Sequence, residues 1–355
     1  MIGQDAVAAL RTGGRQGYLR IATEEAFAPR ELIALYDEVL DGPDPDPGFL
    51  SLMGFYMRSQ AERPRLTLRR LQDLGALRLA EMDERGIDKQ VIALTSPGTQ
   101  VLSADKAAAL AVLANDQLAE ACRNHPDRFV GMAACAPQDP AGAAKEIDRA
   151  VSKLGMRAVI INSHTHGEYL DDPKFSPILE AAEALDVPIY LHPNTPPRSM
   201  IGPLLEAGLD GAIFGFGVET GMHALRLITS GTLDRFPKLQ VIISHMGEAL
   251  PFWMYRLDYM HHATVAAGRY DRMKPIKKRP SDYLRQNFHI TNSGVAWEPA
   301  IKFTQAVVGV DRVLYAMDYP YQCPPEEVAS LDAMTMPIED KRKFFQTNAE
   351  RLFKL

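Results

Sequence analysis

The residues of this chain that are able to do acid–base or metal chemistry recur at one kind of place, just past a short apolar run. Glu24 and Glu25 follow the run 19–23, and His164 and His166 follow 158–162. His192 closes 189–192, His245 and Glu248 follow 241–244, Asn292 and Ser293 follow 288–291, and Asp318 follows 313–317. A random scatter would not collect so many ligand-type groups at one end of apolar segments. Glu24, His192 and Asp318 together offer one imidazole and two carboxylates. That mixed set suits a hard or borderline divalent ion, Mn²⁺ or Zn²⁺, with coordination positions left for water or substrate. No lysine follows any of these runs to bridge two ions, so one metal per chain is expected. Taken singly, each residue has an ordinary reading, such as a hydrogen-bonded rim histidine or a helix-capping aspartate. The metal expectation rests on the three together.

The segment Ser244-His245-Met246-Gly247-Glu248 adds a second kind of chemistry. A histidine there can act as a general acid or base or hydrogen-bond a developing oxyanion. Arg256 follows on the next helical stretch among Phe252, Trp253, Tyr255 and Tyr259. A guanidinium fork among aromatic rings is a clamp for a planar aryl carboxylate; the alternative is a surface or interface arginine. His164-Thr165-His166 has chelating spacing but runs into Gly167, so it reads as a loop, with His164 walling a pocket rather than ligating. Cys323 lies near Asp318 in sequence but has no evident base partner, which argues against a nucleophile.

The elements that must position these groups are eight short runs: 19–23, 91–95, 130–134, 158–162, 189–192, 241–244, 288–291 and 313–317. Most are apolar throughout, as strands buried on both faces are, and amphipathic stretches separate them. Eight such units favour an α/β chain closed as a (β/α)8 TIM-type barrel, whose catalytic groups sit at the C-terminal mouth. No Gly-x-Gly-x-x-Gly follows an early run, against a dinucleotide-binding sheet. Helices are expected through Leu68, Leu71, Leu74 and Met82 up to Gly86, and over 106–122, 141–154, 175–185 and 219–228. The connection 41–64 is long, rich in Pro and Gly and then aromatic, and is expected as a lid-like insertion after the first strand. A second, 261–280, carries Arg269, Arg272, Lys274, Lys277, Lys278 and Arg279 and reads as a solvated or subunit-contact loop. Residues 1–17 read as an N-terminal extension and 18–355 as one barrel domain.

Bulk properties bound the function. The 355 residues are 46% hydrophobic and 24% charged, ordinary for a chain with a large buried core. A net charge of -6 argues against nucleic acid and leaves small molecules as partners. No run is long and apolar enough for a membrane span or a signal peptide, and Cys122, Cys135 and Cys323 fit no zinc pattern. A cytoplasmic protein with reduced thiols is expected.

Four motifs carry a resemblance: Ala22-Thr23-Glu24-Glu25-Ala26-Phe27, Tyr190-Leu191-His192-Pro193, Ser244-His245-Met246-Gly247-Glu248, and the stretch from Asp311 through Tyr315-Ala316-Met317-Asp318 to Pro320. In this order, over nearly the whole chain, they resemble the decarboxylase branch of the amidohydrolase superfamily, and 5-carboxyvanillate decarboxylases in particular. The resemblance implies one Mn²⁺ held by Glu24, His192 and Asp318, with His245 as the catalytic histidine and Asp318 as proton carrier. It further implies Arg256 and Arg63 on the substrate carboxylate, with Tyr321, His223 and Glu248 around the pocket, and a homo-oligomer, dimer or tetramer. Ala26 stands where many relatives carry a second histidine, which leaves three protein ligands. The implied reaction is non-oxidative loss of CO₂ from a carboxylated phenol, 5-carboxyvanillate giving vanillate, without an organic cofactor. The alternative on the same barrel is a metal-dependent hydrolase of a lactone or amide.

Overall fold

The computed structural model describes residues 17–271 and 273–355. All of the expected extension 1–17 except Gly17, and Arg272 of the basic stretch, lie outside the described residues. Eight parallel strands form one sheet in sequence order: β1 Ile21–Phe27, β2 Lys89–Leu94, β3 Phe129–Ala133, β4 Ala158–Asn162, β5 Ile189–His192, β6 Val241–Ile243, β7 Phe288–Thr291 and β8 Val313–Leu314. Chain just past β8 returns to β1, where Thr23 N donates to Tyr315 O at 3.1 Å and Ala26 N to Tyr319 O at 2.7 Å. Those bonds close the barrel. Strands such as Ala158–Asn162 and Val241–Ile243 are buried at every residue, which is why their sequences show no alternation. At Gly131 in β3 the barrel wall meets Met156, whose Sδ would lie 2.3 Å from an added Cβ.

The principal helices are α1 Arg30–Leu40, α2 Pro47–Arg58, α3 Glu62–Leu71, α4 Ala76–Arg85, α5 Ala104–Asn124, α6 Pro140–Leu154, α7 Ser176–Ala184, α8 Arg198–Glu206, α9 Gly215–Thr229, α10 Leu250–Ala266, α11 Pro280–Asn287, α12 Glu298–Val308 and α13 Pro325–Asp332. Three differ from expectation. The connection 41–64 is largely helical: Asp46 Oδ1 caps α2 through the N–H groups of Gly48 and Phe49, and Pro47 at the first position suits a helix start. The single helix expected from Leu68 to Gly86 is two, parted at 72–75, where Asp73 Oδ1 accepts from Gly75 N and Arg78 N. Asp and Gly there turn the chain although the leucine spacing continues through it. The basic stretch begins inside α10, which runs to Ala266 before the chain opens.

Candidate active site at the barrel mouth

Glu24 lies within β1 rather than after it, so the expected end of the strand at residue 23 was placed too early. Glu24 and Glu25 are adjacent on a strand and therefore point to opposite sides. Glu24 is 6% exposed, and its Oε2 accepts from the Tyr190 hydroxyl and from Thr291 Oγ1 (3.0 Å). Its buried Oε1 has no hydrogen-bond donor among the described residues. That oxygen lies 3.5 Å from His192 Nε2 and 3.9 Å from His245 Nε2.

His192 is held by one hydrogen bond that fixes its tautomer. Its Nδ1 is 2.8 Å from the Pro193 carbonyl, which only accepts, so the proton sits on Nδ1 and Nε2 keeps its lone pair. Burial lowers its pKa, which keeps the ring neutral. Two donors bound to one ion at about 2.1 Å lie roughly 3.0–3.5 Å apart, and Glu24 Oε1 with His192 Nε2 meets that spacing. Asp318 follows β8 with φ 68°, and burial together with Glu24 raises its carboxyl well above the usual range. Among the described residues no three His, Cys, Asp or Glu side chains converge fully on one point. Glu24 and His192 do so as a pair, and Asp318 stands close enough for its charge to be felt by Glu24 and His245.

The turn after β6 is unusual. His245 (φ 49°), Met246 (58°), Gly247 (78°), Glu248 (49°) and Ala249 (62°) are all left-handed. For residues other than glycine that conformation costs about 1–3 kcal/mol each and persists where surroundings enforce it. Here it brings Glu248 Oε1 to 2.6 Å from His245 Nδ1. Burial alone would push His245 down, but Glu248, with Glu24 and Asp318, raises it to about 10. These carboxylates favour the imidazolium form of the ring. Space for the pair comes from glycines: a Cβ on Gly217 would meet Glu248 Oε2 at 2.9 Å, and one on Gly294 would meet His245 Cδ2 at 3.3 Å.

Across the mouth, Tyr321 donates to or accepts from Thr95 Oγ1 at 2.6 Å and packs edge-on against Tyr56 of α2, with centroids 5.3 Å apart. Arg63, exposed on α3, donates to the Tyr321 carbonyl at 3.3 Å. The insertion 41–64 thus delivers Tyr56 and Arg63 to the wall beside Asp318. Two expected residues stand elsewhere. His223 is fully buried on α9; Leu170 N donates to its Nε2 at 3.0 Å, so its Nδ1–H serves Ser163 Oγ at 3.0 Å. Both nitrogens are spent, and burial drives the ring down to about 3, so His223 braces the β4 loop. Arg256 is exposed on α10 and makes no hydrogen bond or ion pair among the described residues. His164 and His166 bond the carbonyls of Thr195 (2.9 Å) and Leu102 (3.2 Å) and line a separate cleft of about 790 Å³. Cys323 is buried, and burial raises its thiol to about 11, against a nucleophile. Sequence reasoning missed Tyr190, Thr291, Thr95 and Tyr56; only the inward alternation of Tyr190 with His192 on β5 was available as a signal.

Comparison with known proteins agrees with this geometry. The amidohydrolase family model matches residues 33–355. The chain belongs to the amidohydrolase family. This amidohydrolase is 38% identical to the γ-resorcylate decarboxylase of Rhizobium radiobacter over 294 residues, 81% of this chain and 89% of that protein. It is 34% identical to the one from Polaromonas sp., over 95% of this chain and 98% of that one. Among solved structures, 5-carboxyvanillate decarboxylase of Novosphingobium aromaticivorans, complexed with manganese and 4-hydroxy-3-methoxy-5-nitrobenzoic acid, is 59% identical with a TM-score of 0.96, covering 98% and 99% of the two chains. The Sphingomonas paucimobilis enzyme of the same name is 37% identical with a TM-score of 0.90, covering 95% and 99%.

Proposed function

We propose that this amidohydrolase is a manganese-dependent carboxy-lyase that converts 5-carboxyvanillate to vanillate and CO₂, as in the breakdown of lignin-derived aromatics. The observation that carries the proposal is the orphaned Glu24 Oε1 facing the free lone pair of His192 Nε2, within a barrel 59% identical to a 5-carboxyvanillate decarboxylase. The relatives above are decarboxylases, and no observation favours the lactone or amide hydrolase.

Glu24, His192 and Asp318 would hold the ion. The ion would supply Lewis acidity toward a phenolate and the carboxylate ortho to it. The remaining chemistry belongs to side chains. A proton passes from the Asp318 carboxyl to the ring carbon bearing the scissile carboxylate; the C–C bond then breaks, its electron pair restores the aromatic ring, and CO₂ leaves. Coordination lowers the pKa of a carboxyl, so Asp318 needs a neighbour that carries a proton. His245, held as an imidazolium by Glu248, is that neighbour. Arg63 and Tyr321 would take the second, para carboxylate and the ring.

Self-association has its own support. Phe252, Trp253, Tyr255 and Tyr259 on α10 are 71%, 46%, 86% and 65% exposed, a continuous aromatic face of the kind that marks an interface. Arg256 shares it, so as a substrate anchor it would act across a contact with a second copy. No described helix is long and apolar enough to cross a membrane. The test of the function is direct: Mn²⁺-loaded protein with 5-carboxyvanillate should release vanillate and CO₂ in equal amounts.

A further inference from the structure

We propose that the opposite end of the barrel carries a second site, for a small oxyanion, built on Arg312 and His289. A cavity of about 570 Å³ opens there, lined among others by Arg312, Arg351, Lys238, Gln240 and His289. Arg312 directly precedes β8, Gln240 directly precedes β6, and His289 is the second residue of β7. The cavity therefore lies at the strand starts, at the other end of the barrel from Glu24, His192 and Asp318.

Two unmet bonding demands point to an anion. Arg312 Nη1 donates to Gln240 Oε1 and to His289 Nε2, both at 2.9 Å, and neither acceptor is charged. Arg312 forms no ion pair among the described residues. The carboxylates around the cavity are engaged elsewhere. Asp186 binds Lys354 Nζ at 2.5 Å, and Asp311 pairs with Lys343 at 2.9 Å and more loosely with Arg351 at 3.9 Å rather than with Arg312. Glu183 Oε1 accepts from the N–H groups of Lys238 (2.7 Å) and Leu239 (3.2 Å).

The second demand comes from His289. Arginine can only donate, so His289 Nε2 must be its acceptor, and the ring proton sits on Nδ1. His289 is 4% exposed, yet Nδ1 has no hydrogen-bond partner among the described residues. Burial, with Arg312 and Arg351, drives the ring down to about 3, so it stays neutral and cannot itself add to the charge. A buried N–H without an acceptor, beside a guanidinium without a counter-charge, is complementary to a carboxylate or phosphate group. Water would satisfy the N–H but would leave the guanidinium uncompensated.

The test uses the full-length, Mn²⁺-loaded protein. Inorganic phosphate and acetate are titrated separately, by calorimetry and by thermal shift, into wild type, Arg312→Gln and His289→Phe. The expected result is a saturable binding event in wild type that weakens at least tenfold in Arg312→Gln, with a matching loss of the anion-dependent rise in Tm. His289→Phe keeps a planar ring without the N–H and should weaken binding several-fold, which also covers failure of Arg312→Gln to fold. Turnover at the mouth should be unchanged in both variants. Phosphate binding alone would define a phosphate site; acetate binding would define a carboxylate site. Anion binding that is absent in wild type, or equally strong in wild type and both variants, would overturn the proposal.

Discussion

The side-chain carboxyl oxygens of Glu25 accept the backbone N–H groups on both sides of Asp318, from Met317 at 3.0 Å and from Tyr319 at 3.2 Å. The second glutamate of β1 thus fixes the peptide that presents Asp318, while the first, Glu24, faces His192. Arg78 steadies this arrangement from behind, stacking over the Tyr319 ring at 4.6 Å and donating to the Ala26 carbonyl at 2.6 Å.

Glu25→Gln should therefore reduce turnover without contacting substrate. The amide nitrogen of glutamine cannot accept a hydrogen bond, whereas both oxygens of the carboxyl do so here, and a misplaced catalytic group can cost on the order of 100-fold. We expect kcat to fall roughly 10–100-fold with KM little changed; an unchanged kcat would remove Glu25 from the account. Stability carries a second signature. Burial raises Glu25 to about 8 from 4.5. Between those values the folded state holds a proton that the unfolded chain has lost, so stability falls as pH rises through the window. Glu25→Gln should flatten that slope in denaturation curves measured from pH 5 to 8.

Glu248→Gln should lower the His245 pKa. In metal-free protein His245 is raised from 6.5 to about 10. Its stabilising contribution is then complete below about pH 6.5 and lost as pH rises through about 10. NMR titration of the His245 ring should show its midpoint move down by more than one unit in the variant. A midpoint that stays in place would mean that Glu248 does not hold the imidazolium.

Elemental analysis of active protein should give one manganese per chain, since no lysine stands among the groups at the mouth to bridge a second ion. Chelation should abolish activity, and Mn²⁺ should restore it. His192→Ala should lose the ion, because its Nε2 is the one imidazole donor of the set. Two ions required for activity would contradict the mononuclear site.

The arginines should separate substrates with one carboxylate from those with two. Arg63→Met should penalise 5-carboxyvanillate in kcat/KM about 10–100-fold more than the analogue lacking the para carboxylate, discounted for its exposure. Arg256→Met should do the same only if a second copy supplies it. Sedimentation should then show that breaking the α10 face, as with Trp253→Glu, dissociates the assembly and reproduces the Arg256 defect. Equal penalties on both substrates would assign the arginine to the scissile carboxylate or to packing.

The strands were legible because parallel strands buried on both faces leave uninterrupted apolar runs, and five of the eight expected spans lie within a residue of those observed. β1 was harder. Its last half carries Glu24 and Glu25 inside the strand, so polarity marked a false end. His192 and Asp318 were legible from their places at strand ends. The hydrogen-bonding company of Glu24 was not, since Tyr190 and Thr291 look like ordinary core residues until the barrel closes. His223 shows the converse. Its type suggested a pocket residue, but Leu170 N–H and Ser163 consume both ring nitrogens, a demand set by tertiary contacts alone. The insertion 41–64 read as a loop because of its prolines, although Pro47 and Asp46 start a helix.

The most direct test compares wild type with Asp318→Asn, both loaded with Mn²⁺, on 5-carboxyvanillate, following CO₂ and vanillate together. Asparagine preserves shape but can neither carry nor return the proton, and a lost acid–base group costs about 10²–10⁴-fold. Wild type should release vanillate and CO₂ in equal amounts, and Asp318→Asn should fall at least 100-fold while still binding the substrate. Wild type inert on 5-carboxyvanillate, or Asp318→Asn decarboxylating at a near-normal rate with metal bound, would contradict the account.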